Sequence, residues 1–283
     1  MIQIKDAKLY IKIGNQPEID AESIAPGLEF LGDDENPSIA NAYLSDSAKD
    51  GNSFNYATFQ KNIINAEFCV HFGDYYEYKF AKANIFRKFM TKELIRIRTD
   101  AEPAIVKYVR AAPFEIKPIS PGANDALFTI PFDNPSGYKY SLGYCDDIKD
   151  YQSELWQVGM NMPYVQQAPY QFVNPTNFRV WNASDITIDP YYQNHQLQLI
   201  MKHDGYGFSL INHTTGKEWS YTGKTTSSDT ILLDGINTFK NGNIDNNNTD
   251  YGYLTLAPGW NEFSVAGIGD LDILFHFKFI YIG

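Results

Sequence analysis

From Leu271 to Tyr281 every odd position is apolar: Leu271, Ile273, Phe275, Phe277, Phe279 and Tyr281. The even positions mix Asp272, His276 and Lys278 with Leu274 and Ile280. A two-residue period predicts a strand with one face in a core and the other toward water or a neighbour. Only Ile282 and Gly283 follow, so this strand is expected to tie the C-terminus into a sheet. The same pattern predicts one or two short strands within residues 1–13, from Ile2, Ile4, Leu9, Ile11 and Ile13. Further strands are predicted at 63–72, 94–98, 105–116 and 126–132. The stretch 14–36 reads as acidic and turn-rich, and Asp50-Gly51-Asn52-Ser53-Phe54 as an ordered loop or hairpin.

One segment changes period. Between Asp74 and about Lys92, Tyr78, Ala81, Ile85 and Phe89 recur at helical spacing, widened by Phe86 and Met90. Asp74 is placed to cap the helix and Glu77 to complete a D-x-x-E box. Residues 144–170 open with Cys145-Asp146-Asp147-Ile148-Lys149-Asp150 and are punctuated by Met162-Pro163 and Ala168-Pro169, as in a connector. Beyond it no helical stripe appears. Short strand-like runs alternate with Asp204-Gly205, Asp234-Gly235, Asn241-Gly242 and Pro258-Gly259, the pattern of an all-β sandwich. The fold class is therefore mainly β, with an α+β first half of residues 1–143 and a second domain of residues 171–283.

Composition narrows the function classes. With 20 Tyr and 19 Phe among 283 residues the chain favours strands and is long enough for a sizeable core. A formal net charge of −11 argues against wrapping nucleic acid, because duplex affinity comes mainly from neutralising phosphates. Cys69 and Cys145 stand apart, without metal-spaced companions, and are read as buried free thiols. The first residues lack a signal-peptide core and no run is apolar enough to span a membrane, so a soluble chain made inside the cell is expected.

The chemistry of catalysis leaves little trace. The five histidines form no HxH or HExxH arrangement, and Asp245-Asn246-Asn247-Asn248-Thr249-Asp250 lacks the glycine and closing glutamate of a calcium loop. No G-x-S-x-G elbow or phosphate-binding glycine loop occurs, and Ser136 in Asn134-Pro135-Ser136-Gly137 reads as a tight turn. No carboxylate pair stands out for glycoside hydrolysis. No catalytic, metal or cofactor residue is assigned. Trp219 and Tyr221 sit in a polar strand and are the candidates for stacking on a sugar ring, whereas Trp260, after a Pro-Gly turn, is expected in the core.

Several strings together resemble the distal tail protein (Dit) family of siphophages. In the first half these are Gly51-Asn52-Ser53-Phe54, the helix from Tyr75 to Phe89, and Arg96-Ile97-Arg98-Thr99-Asp100-Ala101-Glu102-Pro103 leading to Tyr108-Val109-Arg110. Phe132-Asp133-Asn134-Pro135-Ser136-Gly137-Tyr138-Lys139-Tyr140-Ser141-Leu142 closes that half. In the second half they are Trp181-Asn182-Ala183 with Asp189-Pro190, Ile211-Asn212-His213-Thr214-Thr215-Gly216, and Leu256-Ala257-Pro258-Gly259-Trp260-Asn261.

The resemblance implies a ring-forming first domain, a β-sandwich with one helix and a hairpin extension, followed by a galectin-like or carbohydrate-module-like sandwich. It implies a non-enzymatic virion protein at the phage tail tip, made in the host cytoplasm. Six copies would form a ring docking onto the tail tube, the tail-associated lysin or fibre hub, and receptor-binding proteins. DNA would pass through its channel without specific binding. The alternative is a carbohydrate-binding module or adhesin that recognises host cell-wall glycans through Trp219 and Tyr221.

Overall fold

The computed structural model describes residues 7–46, 48–147, 154–163, 168–193 and 195–282. Ile2, Ile4 and the Ile148-Lys149-Asp150 part of the acidic run lie outside them. The chain forms two compact units, one running up to Lys139 and including Ile282, the other spanning Tyr140–Tyr281.

The first unit contains β1 (Leu9–Ile13), β2 (Ile19–Asp20), β3 (Leu28–Glu35), β4 (Ser38–Ser45), β5 (Asn52–Gln60) and β6 (Asn62–His71). It continues with α1 (Tyr75–Phe89), β7 (Ile95–Thr99), β8 (Ile105–Ala111) and β9 (Asp125–Asn134). Seven strands make one antiparallel sheet in the order β2-β1-β7-β8-β9-β6-β3. Along β6 alternation is complete: Ile64, Ala66, Phe68 and Val70 are buried and their neighbours lie on the other face. Helix α1 lays Tyr78, Ala81, Ile85 and Phe89 on that core, where Phe68 meets Phe30, Phe89 and Phe128.

The helix starts where its sequence says it should. Asp74 accepts from the amides of Tyr76 and Glu77, both at 2.8 Å, and Glu77 accepts from Gly73 N–H at 2.7 Å, one residue before the expected box partner. The 105–116 strand stops at Ala111, where Pro113 cannot continue a ladder. Strand β3 falls inside the stretch expected to be turns. Its apolar residues Leu28 and Phe30 are buried, and its acidic end, Asp33-Asp34-Glu35, pairs with Ala66, Asn65 and Ile64 of β6 while Lys107 meets Asp33 and Glu35. The Asn134–Gly137 turn closes as expected. Gly137 sits at φ +70, and a Cβ there would collide with the Gln60 carbonyl, so only glycine fits.

Strand β10 (Lys139–Ser141) leads into the second unit: β11 (Gln171–Val173), β12 (Asn177–Asn182), the single turn α2 (Pro190–Gln193), β13 (Gln198–Asn212) and β14 (Lys217–Thr225). It ends with β15 (Ile231–Asp234), β16 (Asn237–Lys240), β17 (Asn243–Ile244), β18 (Gly259–His276) and β19 (Ile280–Tyr281). The long antiparallel pair β13–β18 is its spine. One half of β18 pairs with β12 and the other with β11, while β13 divides likewise between β14 and β15.

Phe263 and Phe275 lie twelve residues apart on β18, about 40 Å along a straight strand. Their rings nevertheless stand 5.5 Å apart. The spine folds back on itself, and its two halves become the two layers of a sandwich with Phe178 and Phe172 between them. Glycines permit the bend. Gly207 (φ +59) is the bulge in β13, and a Cβ on Gly267 would lie 2.8 Å from its carbonyl oxygen.

Residues between 144 and 170 contribute to this unit. Cys145 N–H donates to Phe277 O (2.8 Å), Met160 is fully buried, and Tyr170 O–H donates to Trp181 O (3.0 Å). The terminal alternation appears as expected, with all six odd residues from Leu271 to Tyr281 buried. Ile280 is buried as well, because the ladder breaks after His276 and resumes at β19.

Candidate functional site

Trp219 and Tyr221, the residues suggested for sugar stacking, are interior. Alternation along β14 turns 219, 221 and 225 inward. Trp219 is fully buried, its indole N–H donating to Thr238 Oγ1 at 3.2 Å and its ring 5.7 Å from that of Phe208. Tyr221 is 2% exposed, and its hydroxyl donates to Asp245 at 2.6 Å. Burial, then the Asp245 carboxylate, drive its phenol far above the ordinary tyrosine value. Neither ring offers a free face, so the structure does not bring these residues together as a stacking platform.

Trp260 corrects the companion expectation. Its neighbours Asn261 and Phe263 are buried, so Trp260 faces outward and is half-buried. The Arg179 guanidinium covers its ring at 4.8 Å and Trp181 meets it edge-on at 5.2 Å. Both thiols are free: Cys145 is buried and Cys69 half-buried on β6.

What the first unit displays instead is an arm. Strands β4 and β5 pair only with each other, and no third strand joins them among the described residues. Ile39, Tyr43, Leu44, Phe54 and Tyr56 are each more than half exposed along this ribbon. Tyr43 and Phe54 are cross-strand partners with rings 6.2 Å apart. Exposed apolar ribbons with open edges mark association surfaces. The sequence did suggest a hairpin at 50–54; the aromatic spacing at 43, 54 and 56 was the further signal.

The root of the arm is charged and closed. Glu35 ends β3, three residues before β4, and its Oε1 accepts from Lys107 (2.7 Å) and Lys139 (2.8 Å). Asp33 adds a 3.2 Å contact to Lys107, and Glu102 a 3.1 Å contact to Lys139. Both lysine side chains are over nine-tenths buried. Burial pushes the Glu35 carboxyl up, but the two ammonium groups outweigh it and hold it below the ordinary value. Burial pulls Lys139 down, and Glu35 with Glu102 more than restores it. This cluster fixes where the ribbon leaves the sheet; it has no open face for a substrate.

One buried histidine makes the second unit acid-sensitive. His195 Nε2 donates to Lys278 O at 2.8 Å, while its buried Nδ1 has no partner. A carbonyl only accepts, so Nε2 carries a proton, and the buried Nδ1, with nothing to accept a second one, leaves the ring neutral. Burial, opposed only by that bond, pulls its pKa from 6.5 to about 4. The unfolded chain takes up this proton first as pH falls. Unfolding free energy is therefore expected to drop by about 3 kcal/mol between roughly pH 6.5 and pH 4 and then level off for this group. Urea midpoints across that range check it, with His195→Gln flattening the dependence; an unchanged slope in the variant would count against it.

Comparison with known proteins agrees with this architecture. Residues 15–134 match the family described as the phage tail protein RIFT-related domain. No curated protein sequence matches the chain. Among solved structures, the Dit (gp 19.1) protein of phage SPP1, described as a paradigm of hub adsorption apparatus in Gram-positive infecting phages, superposes with a TM-score of 0.67. The match has 10% identity over 96% of this chain and 99% of that one. A chain of the phage p2 baseplate in its activated conformation with Sr gives a TM-score of 0.45 at 10% identity, over 94% of this chain and 97% of that one. Residues 15–134 thus match a phage tail RIFT-related domain family, and the chain as a whole shares the fold of the SPP1 Dit protein.

Proposed function

We propose that the chain is a structural hub of a siphophage tail tip. Copies close into a hexameric ring that joins the tail tube to the tail-associated lysin or fibre hub and to receptor-binding proteins. The role is mechanical and non-enzymatic, and the protein is a virion component made in the host cytoplasm. Residues 1–143 supply the ring and residues 171–283 a second, galectin-like sandwich.

The observation that carries the reading is the unpartnered aromatic arm on a domain that matches a phage tail family. An exposed ribbon with open edges is suited to a different surface of a neighbouring copy, and such head-to-tail contacts give a ring when their rotation closes. A net charge of −11 keeps such a channel from holding DNA. The alternative glycan-binding reading loses its motivation, because the stacking candidates lie inside the fold.

The test is assembly of the purified chain, alone and beside its tail-tube partner. Light scattering and negative-stain images are expected to show six-fold rings. Replacing residues 38–60 by a short turn is expected to leave a folded monomer. Monomers throughout in the intact chain, or rings of undiminished stability without the arm, would refute the reading.

A further inference from the structure

Helix α1 and the loop before β3 leave an apolar groove of about 680 Å³ between them, walled by Pro26, Phe72, Tyr76, Phe80 and Ala81. Tyr76 and Phe80 lie on the side of α1 away from its buried stripe and are each more than three-fifths exposed, as is Tyr75 beside them. Aromatic rings left in water on the outer side of an amphipathic helix mark a surface that something else covers. The charged groups in the lining are already engaged. Glu77 accepts from Gly73 N–H at 2.7 Å, and His71 Nδ1 lies 2.7 Å from Asp125 Oδ1. What the groove offers is apolar surface, in a volume that suits a pair of rings better than a polar substrate.

The same unit carries such a pair, at its other end. The groove lies where β6 finishes, and there His71 N–H donates to Gly27 O at 2.8 Å. The arm leaves where β6 begins, between the end of β3 at Glu35 and the start of β6 at Asn62. Ten residues of extended strand put about 30 Å between these two places. Nearly every position of β4 and β5 is exposed, so the arm stands clear of the sheet and does not fold back on its own groove. Each copy therefore bears an aromatic projection at one end and an apolar recess at the other, the two halves of a head-to-tail contact. Charge agrees with the fit. Helix α1 carries Lys79, Lys82, Arg87 and Lys88 against a lone Glu77, while Asp46 and Asp50 flank Lys49 in the turn of the arm.

We propose that the groove receives Tyr43 and Phe54, the cross-strand ring pair nearest the turn of the arm, from a neighbouring copy. The contact presupposes that arms join copies, as in the proposed ring, and supplies the surface on which each arm lands. Rings entering an apolar recess remove apolar surface from water on both sides, and aromatic anchors seated in pockets carry most of an interface's energy.

Two full-length variants test the contact directly, Phe54→Cys marking the arm and Phe80→Cys the groove. Mixed under mild oxidation, they are expected to form a disulfide-linked dimer with one chain of each kind roughly tenfold faster than either variant alone links to itself. The single variants also control for the free thiols of Cys69 and Cys145. Phe80→Glu is expected to weaken self-association about thirtyfold, its folding checked by the helical circular dichroism of α1. Its own arm is intact, so mixing it with the arm-deleted chain is expected to give dimers but no rings. Mixed disulfides no faster than those of the single variants, undiminished association in Phe80→Glu, or no dimers in that mixture would overturn the proposal. Loss of tail-tube binding alone in Phe80→Glu would also overturn it, by giving the groove to that partner. Cross-linked dimers without six-fold particles would refute the ring and leave the groove, whereas six-fold rings without cross-links would refute the groove and leave the ring.

Discussion

Replacing Glu35 by alanine is expected to cost the first unit about 3–5 kcal/mol of stability. The variant leaves Lys107 and Lys139 buried, with only Asp33 and Glu102 to answer them. Losing one partner of a buried pair costs far more than the pair contributes, because the remaining charge has given up its water. All four tryptophans lie beyond residue 139, so the first unit is followed by the helical circular dichroism of α1 rather than by fluorescence. The triple change Glu35→Leu, Lys107→Met and Lys139→Met is expected to recover part of the loss, because both buried ammonium groups go with Glu35 and only the part-exposed Asp33 and Glu102 carboxylates remain.

The pH dependence fixes the sign. Glu35 is depressed, so its stabilising contribution is present above the ordinary glutamate value and is lost as pH falls through the lowered one. Lys139 is raised, so its contribution is present below the ordinary lysine value and is lost as pH rises through the elevated one. The gap between wild type and Glu35→Ala is therefore flat through neutrality and narrows in acid. A gap that widens on acidification, or a Glu35→Ala loss under about 1 kcal/mol, would show that these charges are not a closed cluster.

The cluster also marks where sequence reading fails. Helix α1 was legible because its cap and stripe are local, and β6, β9 and the terminal strand because alternation is local. Strand β3 was not, since Gly32-Asp33-Asp34-Glu35 has turn composition and becomes a strand by pairing with β6, its acids answered by two lysines more than 70 residues away. The two sandwich layers of the second unit were predicted, but not that one strand, β18, serves both. That depends on Gly267 and Gly207 meeting across the sheet. The arm was visible as a hairpin, while its isolation from every other strand is a fact of topology.

The tryptophans show a different failure, in which a local rule was available and was outweighed by composition. Trp219 lies among Lys217, Glu218 and Ser220, a polar setting that suggests a surface, yet period two puts 219 with 221 on one face. Trp260 follows a Pro-Gly turn and precedes apolar residues, yet the odd-numbered parity of the terminal strand, carried back to Asn261, puts 260 on the outside. Trp219→Ala is therefore expected to cost about 3–5 kcal/mol, the transfer term of a buried indole plus the cavity it leaves. Trp260→Ala forfeits the Arg179 contact and the edge-on Trp181 contact, about 1–2 kcal/mol together. Urea unfolding by circular dichroism compares them without depending on the deleted fluorophore. Equal losses, or a larger one at Trp260, would mean that β14 and β18 turn the opposite faces inward. A Trp219→Ala chain that loses glycan binding would then be uninformative, since unfolding alone removes any site the second unit carries.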